Sequence, residues 1–249
     1  STLTMGNISK RNGATTSGTD VDKARLAARI AAGRYVCADI TNNVWYEFRD
    51  QRWREIQQGY TLRTMISDEL LDCCMTRVHA LNERYLVCKA ADPDSENTEI
   101  ACKRVNIALA IAESLKCTKT LDNVLKELRN RLFDSEFLNR LDANQYLMGF
   151  TNGVYDMNEH VLREGQPDDY ISFSVGYAYV PLEDQPPELV AQYDAYLRSL
   201  FPVPEMCDYM RDHIMFSFIA DGSINQSMHW YTGGGNNGKS YFLVFMQLV

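Results

Sequence analysis

No two cysteines in the chain are spaced CxxC, and no HExxH occurs. Structural zinc sites usually show close ligand pairs of this kind. The seven cysteines (Cys37, Cys73, Cys74, Cys88, Cys102, Cys117, Cys207) therefore read as reduced, mostly buried thiols. His79, His160, His213 and His229 are too scattered to make a metal centre. The odd cysteine count argues against a secreted disulfide framework. The longest unbroken apolar runs, such as Ile107 to Ala112, fall far short of the roughly 18–20 residues of a membrane span. No positively flanked apolar leader and no internal repeat is found. Positive charge is scarce as well: 25 Lys and Arg face 33 Asp and Glu, a formal net charge of −8. With 45% hydrophobic and 23% charged residues in a length of 249, wholesale disorder is excluded. One large or two small domains of a soluble, intracellular protein are expected.

The ends of the chain are distinct from its middle. Residues 1–20 are rich in Ser, Thr, Gly and Asn, a composition that cannot bury a core and reads as a flexible linker. The last residues, to Val249, form an apolar run of helical character. Both ends read as boundaries of a piece of a longer protein.

Between them the pattern is mostly helical. Val21 to Ala32 is rich in Ala and Arg, and Gly33 supplies a stop. Val44–Phe48 and Arg52–Ile56, two short aromatic runs around a polar turn, predict a β-hairpin in which Trp45 and Trp53 anchor a core. Leu62, Met65, Ile66, Leu70, Cys73 and Leu81 keep a period near 3.6. The breaker Asp92-Pro93-Asp94-Ser95 interrupts it. Its two aspartates flank a proline, which marks an ordinary loop and not a metal site. Ile100, Ile107, Ile111 and Leu115 stripe a second helix. Thr120 is a good N-cap for a third, with Leu121, Val124, Leu125, Leu128 and Leu132 on one face. After Asp142 the texture changes. Tyr146–Phe150 and Val154–Asp156 read as strands around Asn152-Gly153, which would supply left-handed turn positions. Short strands are expected near His160–Arg163 and Tyr170–Phe173. Pro186-Pro187 then opens a helix with Leu189, Tyr193, Leu197 and Leu200 aligned. A last helix, about Glu205 to Ala220, is apolar around most of its circumference and predicts burial on several sides.

Charge is uneven. Residues 101–131 hold seven bases (Lys103, Arg104, Lys116, Lys119, Lys126, Arg129, Arg131) and three acids. Residues 156–226 hold thirteen acids and three bases. A basic helical pair in an acidic chain has two readings, a nucleic-acid footprint or solvated helix faces.

The strongest chemical signal is Gly233-Gly234-Gly235-Asn236-Asn237-Gly238-Lys239-Ser240, which fits G-x-x-x-x-G-K-[ST], the Walker A phosphate loop. Glycines let successive backbone N–H groups turn inward toward phosphate oxygens, and the start of a following helix adds to that field. Lys239 would bring an ammonium to the β- and γ-phosphates, and the Ser240 hydroxyl would hold Mg²⁺. An aromatic run precedes the loop and an apolar run of helical length follows, the context such a loop requires. Most of the chain precedes the loop, which favours a multidomain motor ATPase over small kinases and small GTPases.

This loop, with Asn before Gly-Lys, resembles that of superfamily 3 helicases, above all the poxvirus-type primase-helicases of nucleocytoplasmic large DNA viruses. Val44-Trp45-Tyr46-Glu47-Phe48 through Arg52-Trp53, then Gly59-Tyr60-Thr61-Leu62-Arg63, is similar to the start of the region before the helicase core in that family. Asn152-Gly153-Val154-Tyr155-Asp156 with Asp169-Tyr170-Ile171 resembles a later hairpin of it. The resemblance implies a hexameric replicative DNA helicase driven by ATP or another NTP with Mg²⁺. The region before the core would position or assemble the ring, with DNA, further copies of the chain and other replication proteins as partners. Lys239 and Ser240 would take the catalytic nucleotide roles and Gly233–Gly238 the cradle. No role carries over to the Asn152–Asp156 segment. The family's acidic strand end, sensor and arginine finger lie beyond the loop, and nine residues follow Ser240 here. This piece by itself is therefore expected not to turn over nucleotide.

The expected fold class is α+β, mostly helical with small β-hairpins, followed by the first strand-loop-helix of an AAA+-like P-loop α/β core. The expected layout is a linker (1–20), an accessory domain (21–185), a helical collar-like segment (186–226) and the start of the ATPase domain (227–249). The expected place of action is inside the host cell, in its cytoplasm. Two other readings stay open: a non-enzymatic oligomerisation or DNA-binding module, and another P-loop NTPase such as a kinase.

Overall fold

The computed structural model describes residues 18–217, 228, 230–232, 235 and 238–248. Two compact units divide the chain. One comprises the residues up to Glu47 together with Glu55–Phe137; the other comprises Phe48–Arg54 and the residues from Leu138 on.

In the first unit, α1 (Asp20–Ala31) is capped by Thr19, whose side chain accepts from the Asp22 amide at 3.3 Å. Asp20 and Asp22 sit in its first turn, where the peptide dipoles favour negative charge. Ala24, Ala27 and Ala31 are fully buried, and side chains this small let α1 lie close along α5 (Thr118–Arg131). Helix α5 buries Leu121, Val124 and Leu128, the expected face. Its start differs from expectation: Cys117 holds the N-cap position and Thr120 lies within the first turn.

Strand β1 (Tyr35–Asp39) has no counterpart in the sequence pattern, because its residues do not alternate strictly in burial. It pairs antiparallel with β2 (Val44–Arg49), setting Tyr35 opposite Glu47 and Cys37 opposite Trp45. The sheet order is β1-β2-β3, with β3 at Arg52–Ile56. The hairpin tip, Asp50 and Gln51, takes φ of 53° and 68°, as the right-handed twist of a two-residue turn requires. Buried Glu47 accepts from the Tyr35 hydroxyl at 2.9 Å and pairs with Arg34 at 3.2 Å, while Arg34 also reaches Glu69 at 2.7 Å. Burial, then the neighbouring carboxylate, pushes the Tyr35 phenol up to about 12.

Helix α2 (Tyr60–Met65) runs through a π-turn at Ile66–Leu70 into α3 (Leu71–Ala91). The turn keeps both Ile66 and Leu70 fully buried. Asp92–Ser95 is an exposed loop, as its composition predicts, and Ser95 caps α4 (Glu96–Ser114) by accepting from the Thr98 amide at 3.3 Å. Helices α3 and α4 pack on each other, yet only Val78 of α3 and Thr98 and Ala112 of α4 are buried. The main core of this unit joins Tyr35, Trp45, Ile56, Leu62, Met65, Leu70, Leu115 and the buried faces of α1 and α5.

The second unit holds a sheet of order β4-β5-β6 (Leu147–Phe150, Gly153–Asp156, Val161–Arg163), antiparallel throughout. It follows a single helical turn, α6 (Phe137–Arg140). The turn at Asn152-Gly153 works differently from the expectation. Asn152 is not left-handed; its side chain donates to the Tyr179 carbonyl at 3.0 Å and accepts from the Tyr179 amide at 2.9 Å. Glycine is needed at 153 because a Cβ there would stand 2.6 Å from the Arg163 carbonyl oxygen. Tyr170–Phe173 is not a strand. Its backbone serves other partners: the Ile171 carbonyl accepts from the Trp53 amide at 2.7 Å, and the Ser172 amide donates to Asp142 at 2.7 Å. The Trp53 indole also donates to the Pro167 carbonyl at 2.8 Å and meets Phe48 edge-on.

Helices α7 (Pro187–Leu200), α8 (Pro204–Ser217) and α9 (Lys239–Leu248) share a small core of Leu197, Cys207, Met210, Ile214 and Phe242. Leu189 is exposed, so the buried stripe of α7 is shorter than predicted. Over its described side chains, residues 204–214, helix α8 is buried on one side and not on several as expected: Glu205, Met206, Asp208, Tyr209 and Asp212 face solvent. Residues 218–220 of the predicted helix lie outside the described residues. No strand leads into α9 among residues 228 and 230–232, so of the expected strand-loop-helix only the helix is described. No described helix is long and apolar enough to cross a membrane.

Candidate functional site

Four residues of the glycine-rich loop are described: Gly235, Gly238, Lys239 and Ser240. Gly233, Gly234, Asn236 and Asn237 lie outside the described residues. Gly235 and Gly238 take φ of 90° and 78°, a region that disfavours any side chain. Gly238 is also crowded, since a Cβ there would fall 2.3 Å from the Leu200 side chain of α7. Its carbonyl accepts from the Phe242 amide at 2.9 Å, which closes the first turn of α9. Lys239 and Ser240 are thus the first two residues of a ten-residue helix. At that end the amides lack intrahelical acceptors and the peptide dipoles favour an anion.

What holds the helix start is a set of aromatic contacts. Phe242 is buried and meets Phe201 edge-on at 5.6 Å and Tyr231 at 5.9 Å. The Tyr231 hydroxyl is 2.7 Å from Nε2 of His213 on α8. Burial, then Tyr209, raises the Tyr231 phenol above its ordinary value. Sequence reasoning missed the His213–Tyr231 link because no local spacing joins residues on either side of a glycine-rich loop.

Of the seven bases of residues 101–131, six are exposed and one is tied down. Lys103 and Arg104 are exposed on α4, with Glu99 at 3.7 Å from Lys103. Lys116 lies exposed in the α4–α5 turn. Lys119 and Lys126, two helical turns apart, share the exposed side of α5, and exposed Arg131 ends that helix. Arg129 is different. It donates to the Ile40 carbonyl at 3.4 Å and its Nε is buried, so its guanidinium is tied to the turn after β1. Nearby Asp122 pairs with Arg63 and so leaves the lysines of α5 less screened.

Exposed Cys117 lies between Lys116 and Thr118, and amides of Thr120 and Lys119 hold its thiol below the ordinary range. Cys37 and Cys207 are buried and Cys73, Cys74, Cys88 and Cys102 half-buried, all as free thiols. Among the described residues, no three His, Cys, Asp or Glu side chains converge as a metal site, the Asp92–Asp94 loop included.

Residues 24–202 match the family model described as D5 N terminal like. The chain is 34% identical over 216 residues to a protein of Acanthamoeba polyphaga mimivirus named "Putative helicase L207/L206", covering 86% of this chain and 22% of that protein. It is 26% identical over 241 residues to "Putative helicase 121R" of Invertebrate iridescent virus 3, covering 89% of this chain and 25% of the relative. A third relative, "Putative helicase 022R" of Frog virus 3, is 28% identical over 180 residues, 62% of this chain and 18% of its own length. The chain therefore spans about a quarter or less of the length of the curated relatives it matches. A match across most of the described fold, with relatives in several large DNA viruses, places this chain in the D5 N terminal like family.

Proposed function

We propose that this chain is the part of a viral replicative DNA helicase of superfamily 3 that precedes the motor core and enters it through the Gly233–Ser240 phosphate loop. The observation that carries the reading is the helix start at Lys239 and Ser240, directly after a glycine held at positive φ. These residues fit a nucleoside triphosphate with Mg²⁺. A side chain at 238 would strain the turn, the first amides of α9 suit an anion, and an ammonium and a hydroxyl stand at the same end. In this reading Lys239 and the loop amides bind the polyphosphate and Ser240 binds Mg²⁺. When bound, the triphosphate supplies the free energy of hydrolysis that drives unwinding. The layout proposed is an accessory domain to residue 185, a collar-like segment at 186–226 and the entry to the ATPase after it, assembled as a hexamer where the virus copies its genome in the host cytoplasm.

DNA contact falls in this proposal to Lys116, Lys119, Lys126 and Arg131, which are exposed, rather than to Arg129, which is tied to Ile40. Such contacts give salt-sensitive, sequence-tolerant binding.

A fluorescent ATP analogue tests the loop. In the full-length protein, Mg²⁺-dependent binding is expected to weaken at least about tenfold in Lys239→Ala, the loss of one charge-assisted phosphate contact. Equal affinity in wild type and variant overturns the assignment.

A further inference from the structure

The glycine-rich loop is held at its two ends by one pair of helices, α7 and α8. On the exit side Gly238 lies against Leu200 of α7, and Phe242, one turn into α9, is buried against Phe201 just past α7. Phe245, one turn further on, leans on Tyr193 and Tyr196 of α7. On the entry side four residues are described: Met228, Trp230, Tyr231 and Thr232. Met228 and Trp230 are 76% and 79% exposed and Thr232 faces solvent too, so of these four Tyr231 alone turns inward. Its ring meets Phe242 at 5.9 Å, and its hydroxyl lies 2.7 Å from Nε2 of His213 on α8.

Burial of apolar surface does not by itself select Tyr231, since the larger ring of Trp230 stays in water. What Tyr231 adds is a hydroxyl, and a phenol turned inward seeks a hydrogen-bond partner. His213 offers one from a braced position, its ring parallel to that of Tyr209, one turn earlier on α8, at 6.4 Å. Residues 230–232 belong to no described strand. Among the described residues it is therefore the Tyr231 side chain, and not a backbone ladder, that fixes the chain entering the loop.

We propose that Tyr231 and His213 are positioning residues of the phosphate loop: their hydrogen bond sets the loop entry against α8 while Phe242 sets the exit against α7, which couples nucleotide binding to the packing of α7, α8 and α9. The inference rests on the nucleotide reading of the loop given above. A phosphate nest binds best when its amides are aimed before the anion arrives. Freeing one end of the loop therefore lowers affinity without removing any group that touches the nucleotide. Coupling of this kind is reciprocal, so a nucleotide that favours the anchored arrangement in turn tightens α8 around His213.

Binding of a fluorescent, non-hydrolysable ATP analogue with Mg²⁺ to the full-length protein tests the coupling. Tyr231→Phe keeps the ring and removes the hydroxyl; it is expected to weaken binding about threefold to tenfold, the loss of one hydrogen bond. His213→Leu is expected to do the same, and the double variant to bind no more weakly than the weaker single one, because all three lack the same bond. His213→Gln, whose amide restores a partner for the hydroxyl, is expected to bind within about twofold of wild type. In the wild type the analogue is expected to slow amide exchange in residues 209–217 of α8 at least about threefold, and Tyr231→Phe to lose that protection. Wild-type affinity in Tyr231→Phe, additive losses in the double variant, no rescue by His213→Gln, or no nucleotide-dependent protection of α8 in the wild type each overturns the proposal. The last measurement needs no variant and decides even where a substituted protein fails to fold. The Lys239→Ala comparison keeps the two readings apart. If Lys239→Ala loses binding while Tyr231→Phe keeps it, the loop binds nucleotide and the positioning role is wrong; if Lys239→Ala binds like wild type, both fall.

Discussion

Trp45 and Trp53 stand on adjacent strands of one hairpin and are equally buried, yet they fall in different compact units. Trp45 sits among aliphatic side chains from helices, alongside Leu62, Met65 and Leu115. Trp53 is fixed largely by backbone: it donates from its amide to Ile171 and from its indole to Pro167, with Phe48 against the ring. The first arrangement is legible in a sequence, because helical periodicity marks the partners in advance. The second is not, because carbonyls of an irregular segment leave no trace in residue type.

The largest effects that can break this comparison come from removing the rings. Trp45→Ala is expected to cost toward the upper end of about 3–5 kcal/mol and Trp53→Ala toward the lower end, measured by urea unfolding. Hydrogen exchange should sharpen the difference. Trp45→Ala should hasten amide exchange in α1, α2 and α5, and Trp53→Ala in β4–β6 and residues 166–173. Equal acceleration everywhere in both variants would mean that the two units do not open separately.

A middle-sized effect tests the second unit's polar framework. Arg163 grips Asp169 through two bonds of 2.8 and 2.7 Å. Burial opposes ionisation of Asp169, but the Arg163 bonds and the Gln166 amide outweigh it and hold the carboxyl below its ordinary range. A depressed carboxylate stabilises the fold above the unfolded value and loses that contribution as pH falls through the folded one. Asp169→Asn should therefore cost about 1–2 kcal/mol at neutral pH and progressively less in acid below about pH 4. A cost that stays constant down to pH 2 contradicts the ion-pair account.

The smallest effect is kinetic and needs no mutation. Cys117 is exposed and its thiol is held below the ordinary range, whereas burial pushes Cys74 up to about 11 and also raises Cys37. Mapping iodoacetamide labelling by mass spectrometry should find Cys117 modified at least about tenfold faster than Cys37 or Cys74 near neutral pH. Early labelling of Cys37 would indicate that the first core opens readily.

Much of the helical unit was readable. The stripe Leu121, Val124, Leu128, the stop at Gly33, the hairpin and the breaker at Asp92–Ser95 all appear where periodicity and turn chemistry put them. Errors gather where side chains reach far along the chain. Asn152 is a clamp on Tyr179 rather than a left-handed turn residue, and Tyr170–Phe173 lends single carbonyls instead of forming a ladder. In the first half of α8, Met206 and Tyr209 are exposed among Glu205, Asp208 and Asp212, at a spacing that could have marked an acidic face. Of the phosphate loop, the residue types were legible, but the described part adds only the helix that starts at Lys239 and the two glycines at positive φ. The seven bases could be counted in advance, yet which of them point outward depends on contacts such as Arg129 with Ile40.

The division of the β2–β3 hairpin has a practical corollary for anyone dissecting this protein. Because Phe48–Arg54 is lent to the later unit while Glu55–Phe137 returns to the earlier one, neither unit is a continuous stretch of polypeptide. A truncation placed at the apparent boundary near residue 138 would strand Trp53 on the amino-terminal piece and leave the other piece with a hole in its interior. Separate expression of the two halves would call for a graft or a circular rearrangement of the hairpin, not a pair of scissors.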